Sequence, residues 1–127
     1  MIGMATQATI TLPFLPPVAL SPNARVHWSV KAKATRMMKE ATYVLAKSQQ
    51  LPAFTKARLH ITFVIKAHRR RDVDNWLAMM KGAIDGLVEA KVLPDDSAEF
   101  VSYATPTFVV DKVRSPRTII KIEETRA

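Results

Sequence analysis

Between Arg58 and Ala67 apolar and polar residues alternate with period two, Leu59, Ile61, Phe63 and Ile65 against His60, Thr62, Val64 and Lys66. β-Branched and aromatic residues in that pattern predict a strand. Shorter runs of the same character, Thr9–Leu12, Phe100–Ala104, Thr107–Val110 and Thr118–Ile122, supply the rest of a sheet, with Pro106 marking a bulge or edge between the middle two. Two other segments follow the helical period. In the first, Ser29 is a candidate cap, and Val30, Ala34, Met37, Met38, Ala41, Val44 and Leu45 form an apolar face. Lys31, Arg36, Lys39 and Lys47 fall on the opposite half. The second helix spans about Asn75–Ala90, with Leu77, Met80, Ile84, Leu87 and Val88 as its stripe and Asp72 or Asp74 at its N-cap. Gly82 and Gly86 share one side of it. Each costs about 1 kcal/mol against alanine in a helix, which predicts close backbone packing against a sheet or a partner chain. Pro13, Pro16, Pro17 and Pro22 make residues 13–25 a stiff loop. The order β-α-β-α-β-β predicts one small α+β domain over residues 1–127, a mixed sheet with two helices packed on one face. Residues 1–7 and 124–127 are expected to fray.

A chain of 127 residues, 48% hydrophobic, is long enough to bury a core without staples. It contains no cysteine, which excludes disulfide scaffolds, thiolate catalysis and zinc–thiolate sites. No apolar run approaches the ~18 residues of a membrane span, and no apolar signal core begins the chain. A soluble, cytoplasmic protein is the expectation. Only three glycines are present, and none forms a phosphate-cradling loop.

Charge divides the chain more sharply than its net +8 suggests. Residues 1–71 hold twelve Lys and Arg and one acid, Glu40; residues 72–127 hold seven Lys and Arg and ten acids. Seven of those acids lie between Asp72 and Glu99. The basic half fits a polyanion such as nucleic acid. Its candidate contacts are Arg25, Lys31, Lys33, Arg36 and the run Arg69, Arg70 and Arg71, since arginines grip phosphates. Trp28 and Trp76 read as core or interface anchors, with base stacking open to Trp28. His27 and His60 read as structural or surface groups, while His68 borders the arginines, with contact to DNA or a metal open to it.

The acidic half needs its own explanation. Asp72 and Asp74 are two apart where the strand meets the second helix, and Asp95 and Asp96 return in a loop beyond it. Carboxylates crowded together repel, and a hard divalent cation relieves this. Oxygen ligands suit Mg²⁺, for which Mn²⁺ can substitute. Such an ion activates water and polarises a phosphodiester. Taken singly, each acid also fits a helix cap or an exposed turn. Lys81 lies seven residues after Asp74, about 20° away in helical projection. There it can stabilise charge developing on a phosphate or simply pair with Asp85 four residues on.

The string Arg70-Arg71-Asp72-Val73-Asp74-Asn75, then Lys81-Gly82-Ala83-Ile84-Asp85-Gly86-Leu87, then Leu93-Pro94-Asp95-Asp96-Ser97, resembles the RusA-type Holliday junction resolvases. The Thr11-Leu12-Pro13 to Pro17 stretch and Ser21-Pro22-Asn23 resemble that family's opening strand and loop, so the likeness runs over about residues 8–123. It implies a homodimer that cuts four-way DNA junctions symmetrically with Mg²⁺ or Mn²⁺. Metal ligation would fall to Asp72, Asp74 and the Asp95–Asp96 pair, Asp96 matching best, and catalysis to these acids with Lys81. The seven-residue gap from Asp74 to Lys81 is one helical turn longer than in the family's best-known member. No membrane and no small-molecule cofactor is implied. A noncatalytic nucleic-acid-binding module, or a nuclease acting on flaps and other branches, is the alternative.

Overall fold

The computed structural model describes residues 7–67 and 73–125. His68, Arg69, Arg70, Arg71 and Asp72 lie outside the described residues. The strands are β1 (Gln7–Leu12), β2 (Ala57–Ile65), β3 (Val101–Tyr103), β4 (Thr107–Val110) and β5 (Arg117–Glu124); the helices are α1 (Trp28–Ser48), α2 (Val73–Ala78) and α3 (Lys81–Glu89). A single 3₁₀ turn spans Val18–Leu20 in the proline-rich loop.

The five strands form one mixed sheet, so the α+β class holds. β5 lies between β1 and β2 and is antiparallel to both. On its other edge β2 pairs in parallel with β3 through Ala57–Leu59 and with β4 through Thr62–Ile65. The edge strand expected to bulge is therefore broken in two. Ala104 N–H still donates to Leu59 O at 2.9 Å, and the break falls at Thr105–Pro106, where proline has no N–H to give.

The alternation in β2 is realised. Leu59, Ile61 and Phe63 are at most 2% exposed and face Ile122, Ile120 and Thr118 across the β2–β5 ladder. Ile10 and Leu12 of β1 continue the same face, wholly buried. The opposite face keeps Arg58, His60 and Thr62, with His60 Nε2 3.1 Å from Glu123 Oε1. At the ends of the described ladder Gln7 pairs with Glu123, and the Glu124 carboxylate accepts the Thr55 and Lys56 N–H groups at 3.2 Å; residues 1–6, 126 and 127 lie outside the described residues.

α1 begins one residue before the expected cap. His27 is the N-cap, its Nδ1 accepting from Ser29 N–H at 3.2 Å, with Ser29 Oγ 2.7 Å away. An imidazole nitrogen thus replaces the hydroxyl oxygen that Ser29 was expected to supply. The single helix expected over residues 75–90 is two. Met80 N–H bonds Leu77 O, three residues back, with φ −91° and ψ 0°. This tightening lets the adjacent Met79 and Met80 both enter the core, at 5% and 1% exposure, so burial overrides helical continuity. Both long helices end in Schellman turns without glycine. Gln50 and Lys91 take positive φ, and Leu51 and Val92 N–H reach Ala46 O and Leu87 O.

Gly82 and Gly86 pack against α1, not against the sheet or a partner chain. A methyl at Gly82 would lie 2.6 Å from Thr35 O, and one at Gly86 would lie 2.6 Å from Lys39 O. This contact decides which face of α1 is buried. The face toward α3 is Met38, Thr42 and Ala46, with the Thr42 hydroxyl donating back to Met38 O at 2.8 Å. Of the expected apolar face Met38 is wholly buried and Leu45 packs against the core, while Val30, Met37 and Val44 are left exposed. Thr42 and Ala46 join Met38 there because the glycines bring the backbones so close. Lys39, on the basic half of the helix, pairs with Glu89 of α3 at 2.8 Å.

Gly86→Ala tests this packing. Helix propensity favours the change by about 1 kcal/mol, but forcing a methyl into a backbone carbonyl costs roughly 1–3 kcal/mol. Urea denaturation should show a net loss of stability, whereas a stabilised variant would mean that the helices can move apart freely.

Candidate active-site cleft

Lys81 opens α3, and its ammonium is held by two acids. Nζ lies 3.2 Å from Asp96 Oδ2 and 3.5 Å from Asp85 Oδ1. A cation at a helix N-terminus opposes the helix dipole, and these two carboxylates offset it. The helix break changes how Lys81 arrives there. It does not sit two turns along one helix from Asp74; the intervening residues include the Met79–Met80 turn, and Lys81 starts a new helix. The pairing with Asp85 is formed, and Lys81 also reaches the distant acidic loop.

That loop is folded on itself. Asp96 N–H donates to Asp95 Oδ1 at 2.8 Å. Hydrogen bonding by Lys81 holds the Asp96 carboxyl below the usual aspartate range, and the same bond raises the Lys81 ammonium. Lys81 and Asp96 line a cleft of about 420 Å³ with Leu77, Ala78, Ile84 and Tyr103. Burial, followed by the Asp96 charge, raises the Tyr103 phenol. Exposed ion pairs contribute little to stability, and the Lys81 side chain is 70% exposed. The cluster therefore matters more for the charge it places at the cleft than for the fold.

The other expected site residues divide clearly. Asp74 lies in the first turn of α2 and is exposed. Asp72 and the three arginines lie outside the described residues. Among the described residues no three His, Asp or Glu side chains form a metal-holding group; Asp96 is neutralised by Lys81. Arg25, Lys33 and Arg36 are exposed and Lys31 half-buried. Trp28 is 74% exposed, its ring beside His27 at 5.3 Å, and so is not a core anchor. Trp76 is one, packing on Phe63 and Phe108 at 4.8 and 5.3 Å. Tyr103 escaped the sequence reading. Its signal was present, because alternation from the buried Val101 puts residue 103 on the helix side of the sheet.

No protein-family model matches the chain. It is 33% identical over 125 residues to an uncharacterized protein of Xylella fastidiosa (strain Temecula1 / ATCC 700964), spanning 94% of this chain and 78% of that protein. The two chains belong to one family. That family includes nearly the whole of this chain, so its members are expected to share the sheet and helices that frame the cleft. No helix among the described residues is long and apolar enough to cross a membrane.

The ion pair makes a titration prediction. Because the folded Asp96 carboxyl sits below its unfolded value, its contribution to stability is present above the ordinary aspartate range of about 3.9. It is lost as pH falls through the folded value, where the unfolded chain binds more protons. In carboxyl-detected NMR titrations, Lys81→Met should move the Asp96 midpoint upward. An unmoved midpoint would show that Lys81 does not hold Asp96 in solution.

Proposed function

We propose that this protein is a metal-dependent, structure-selective DNA endonuclease that resolves four-way junctions by paired symmetric phosphodiester hydrolysis, as the RusA-type resemblance implies. The observation that carries the reading is the 3.2 Å contact between Lys81 and Asp96 at the cleft. Two separate pieces of the motif, fifteen residues apart in sequence, meet there with one cation and one carboxylate.

In this reading Asp72, Asp74 and the Asp95–Asp96 turn would hold Mg²⁺, which Mn²⁺ could replace. Oxygen-only donors suit such hard ions. The ion supplies an activated water and polarises the scissile phosphate. Lys81 is the cation of the site. Its ammonium, held at rest by Asp96 and Asp85, stabilises negative charge developing on the phosphate or the leaving oxygen. Arg25, Lys31 and Arg36, with Arg69, Arg70 and Arg71, bind backbone phosphates, a term that weakens steeply with salt. Trp28, exposed beside Arg25 and Lys31, is available for base stacking. Two symmetric nicks need two sites, hence a twofold homodimer. The work of such an enzyme is DNA recombination and repair, inside a bacterial or phage-infected cell.

A synthetic four-way junction tests the reading. The wild-type protein should nick it in Mg²⁺ and stop on chelation. Asp74→Asn and Asp96→Asn should bind the junction at least as tightly at fixed salt, having lost negative charge near phosphates, and should not cut. Lys81→Ala should slow cutting by on the order of 10²-fold. Binding without any metal-dependent nicking would instead identify a noncatalytic nucleic-acid-binding module, and preference for flaps would identify a different branched substrate.

A further inference from the structure

The apolar stripe that the domain leaves unused on α1 is regular. Val30, Ala34, Met37, Ala41 and Val44 follow one another at steps of four, three, four and three residues, the spacing of a coiled-coil seam. Val30, Met37 and Val44 are 46%, 39% and 61% exposed, and the two alanines are half-buried. Along the helix the stripe measures about 21 Å. Its outer flank is Lys33, Glu40 and Lys47, one heptad apart and all exposed. Glu40 is the one acid among residues 1–71. Among the described residues it joins none of the ion pairs.

We infer that this face is an interface between two copies of the chain, with their α1 helices antiparallel. An antiparallel pair brings the same flank of each helix together. With the twofold axis between Thr35 and Arg36, Lys33 of each copy meets Glu40 of the other. The seam layers then set a larger side chain against an alanine: Val30 against Ala41, and Met37 against Ala34, of the second copy. Sliding one helix by a heptad would put Lys33 on Lys47 and Glu40 on Glu40, so charge selects the register. A parallel pair would place Lys31, Lys33 and Arg36 of both copies at one end. A uniformly acidic foreign partner would leave Glu40 facing its own sign, whereas a Lys–Glu–Lys flank fits its own reverse. The inference deepens the homodimer of the proposed function and rests on that reading for its use, but its test needs neither DNA nor metal. The seam is short and falls at the small end of specific interfaces, roughly 1,200 Å², so association should depend on concentration.

Sedimentation velocity of the full chain, over a concentration series at low salt, tests the inference. The wild-type protein should dimerise, and Met37→Glu should raise the dissociation constant at least tenfold while circular dichroism shows an unchanged fold. Lys33→Glu and Glu40→Lys should each weaken the dimer, and the double reversal should restore it. A wild-type chain that stays monomeric overturns the inference and leaves the face to another partner. A dimer indifferent to Met37→Glu, or a double reversal that fails to rescue, overturns it as well. Failure of the enzyme reading is separate: a dimer with these properties that cuts no junction keeps the interface and loses the nuclease.

Discussion

The backbone of α3 lies against α1 at Gly82 and Gly86 with no room for a methyl group, and the position of the cleft depends on that approach. Glycine in a helix is unfavourable by itself, so the gain must come from tertiary contact. With α3 docked, its other residues Ala83, Ile84 and Leu87 are buried in the core, and its first residue, Lys81, is fixed where the acidic loop can reach it. Small residues on α1 are the counterpart of this contact. Thr35 and Thr42 bond their hydroxyls back to Lys31 O and Met38 O, which lets two polar side chains lie in a tight helix–helix seam without orphaned groups.

The same docking sets the electrostatics. α1 and α3 are tied at their exposed margin by Lys39 and Glu89, so one base of the cationic half is spent on the fold. Lys81 is the other case. It begins a helix where the dipole disfavours it, and its two carboxylate partners come from α3 itself and from the loop beyond. A cation held by exposed, solvent-screened bonds remains able to change partners, unlike one locked in a dry interior.

How far the sequence reveals this depends on the kind of information. Period-two patterning located β2 and the alternately buried Ile120 and Ile122, because sheet residues are sorted by a face that water defines. The spacing of Gly82 and Gly86 correctly signalled close packing but not its partner. The buried face of α1 was legible at Met38 but not at Thr42 and Ala46, because large apolar residues outweigh threonine and alanine in a hydrophobic pattern, whereas the glycine contacts admit the small ones. The break at Met79–Met80 had no proline or glycine to mark it; only core burial explains it. At the site, Lys81, Asp95 and Asp96 were legible from the motif, and their contact is formed. Tyr103 was hidden in a short strand whose orientation depends on pairing with β2. Asp72 and the arginine run fall outside the described residues.

The sheet topology also orders events in time. β1 has one neighbour, β5, and Gln7 pairs with Glu123 more than a hundred residues away. β5 is an interior strand as well, separating β1 from β2. Whatever local helix forms early, the first strand waits unpaired until almost the last element has been made. Closing so large a loop is the slow kind of step in folding. Until it happens, the apolar faces of Ile10, Leu12 and β2 lack their cover. A nascent chain of this design therefore leaves β1 without its partner until Arg117–Glu124 arrives, and the antiparallel half of its sheet is the last to form.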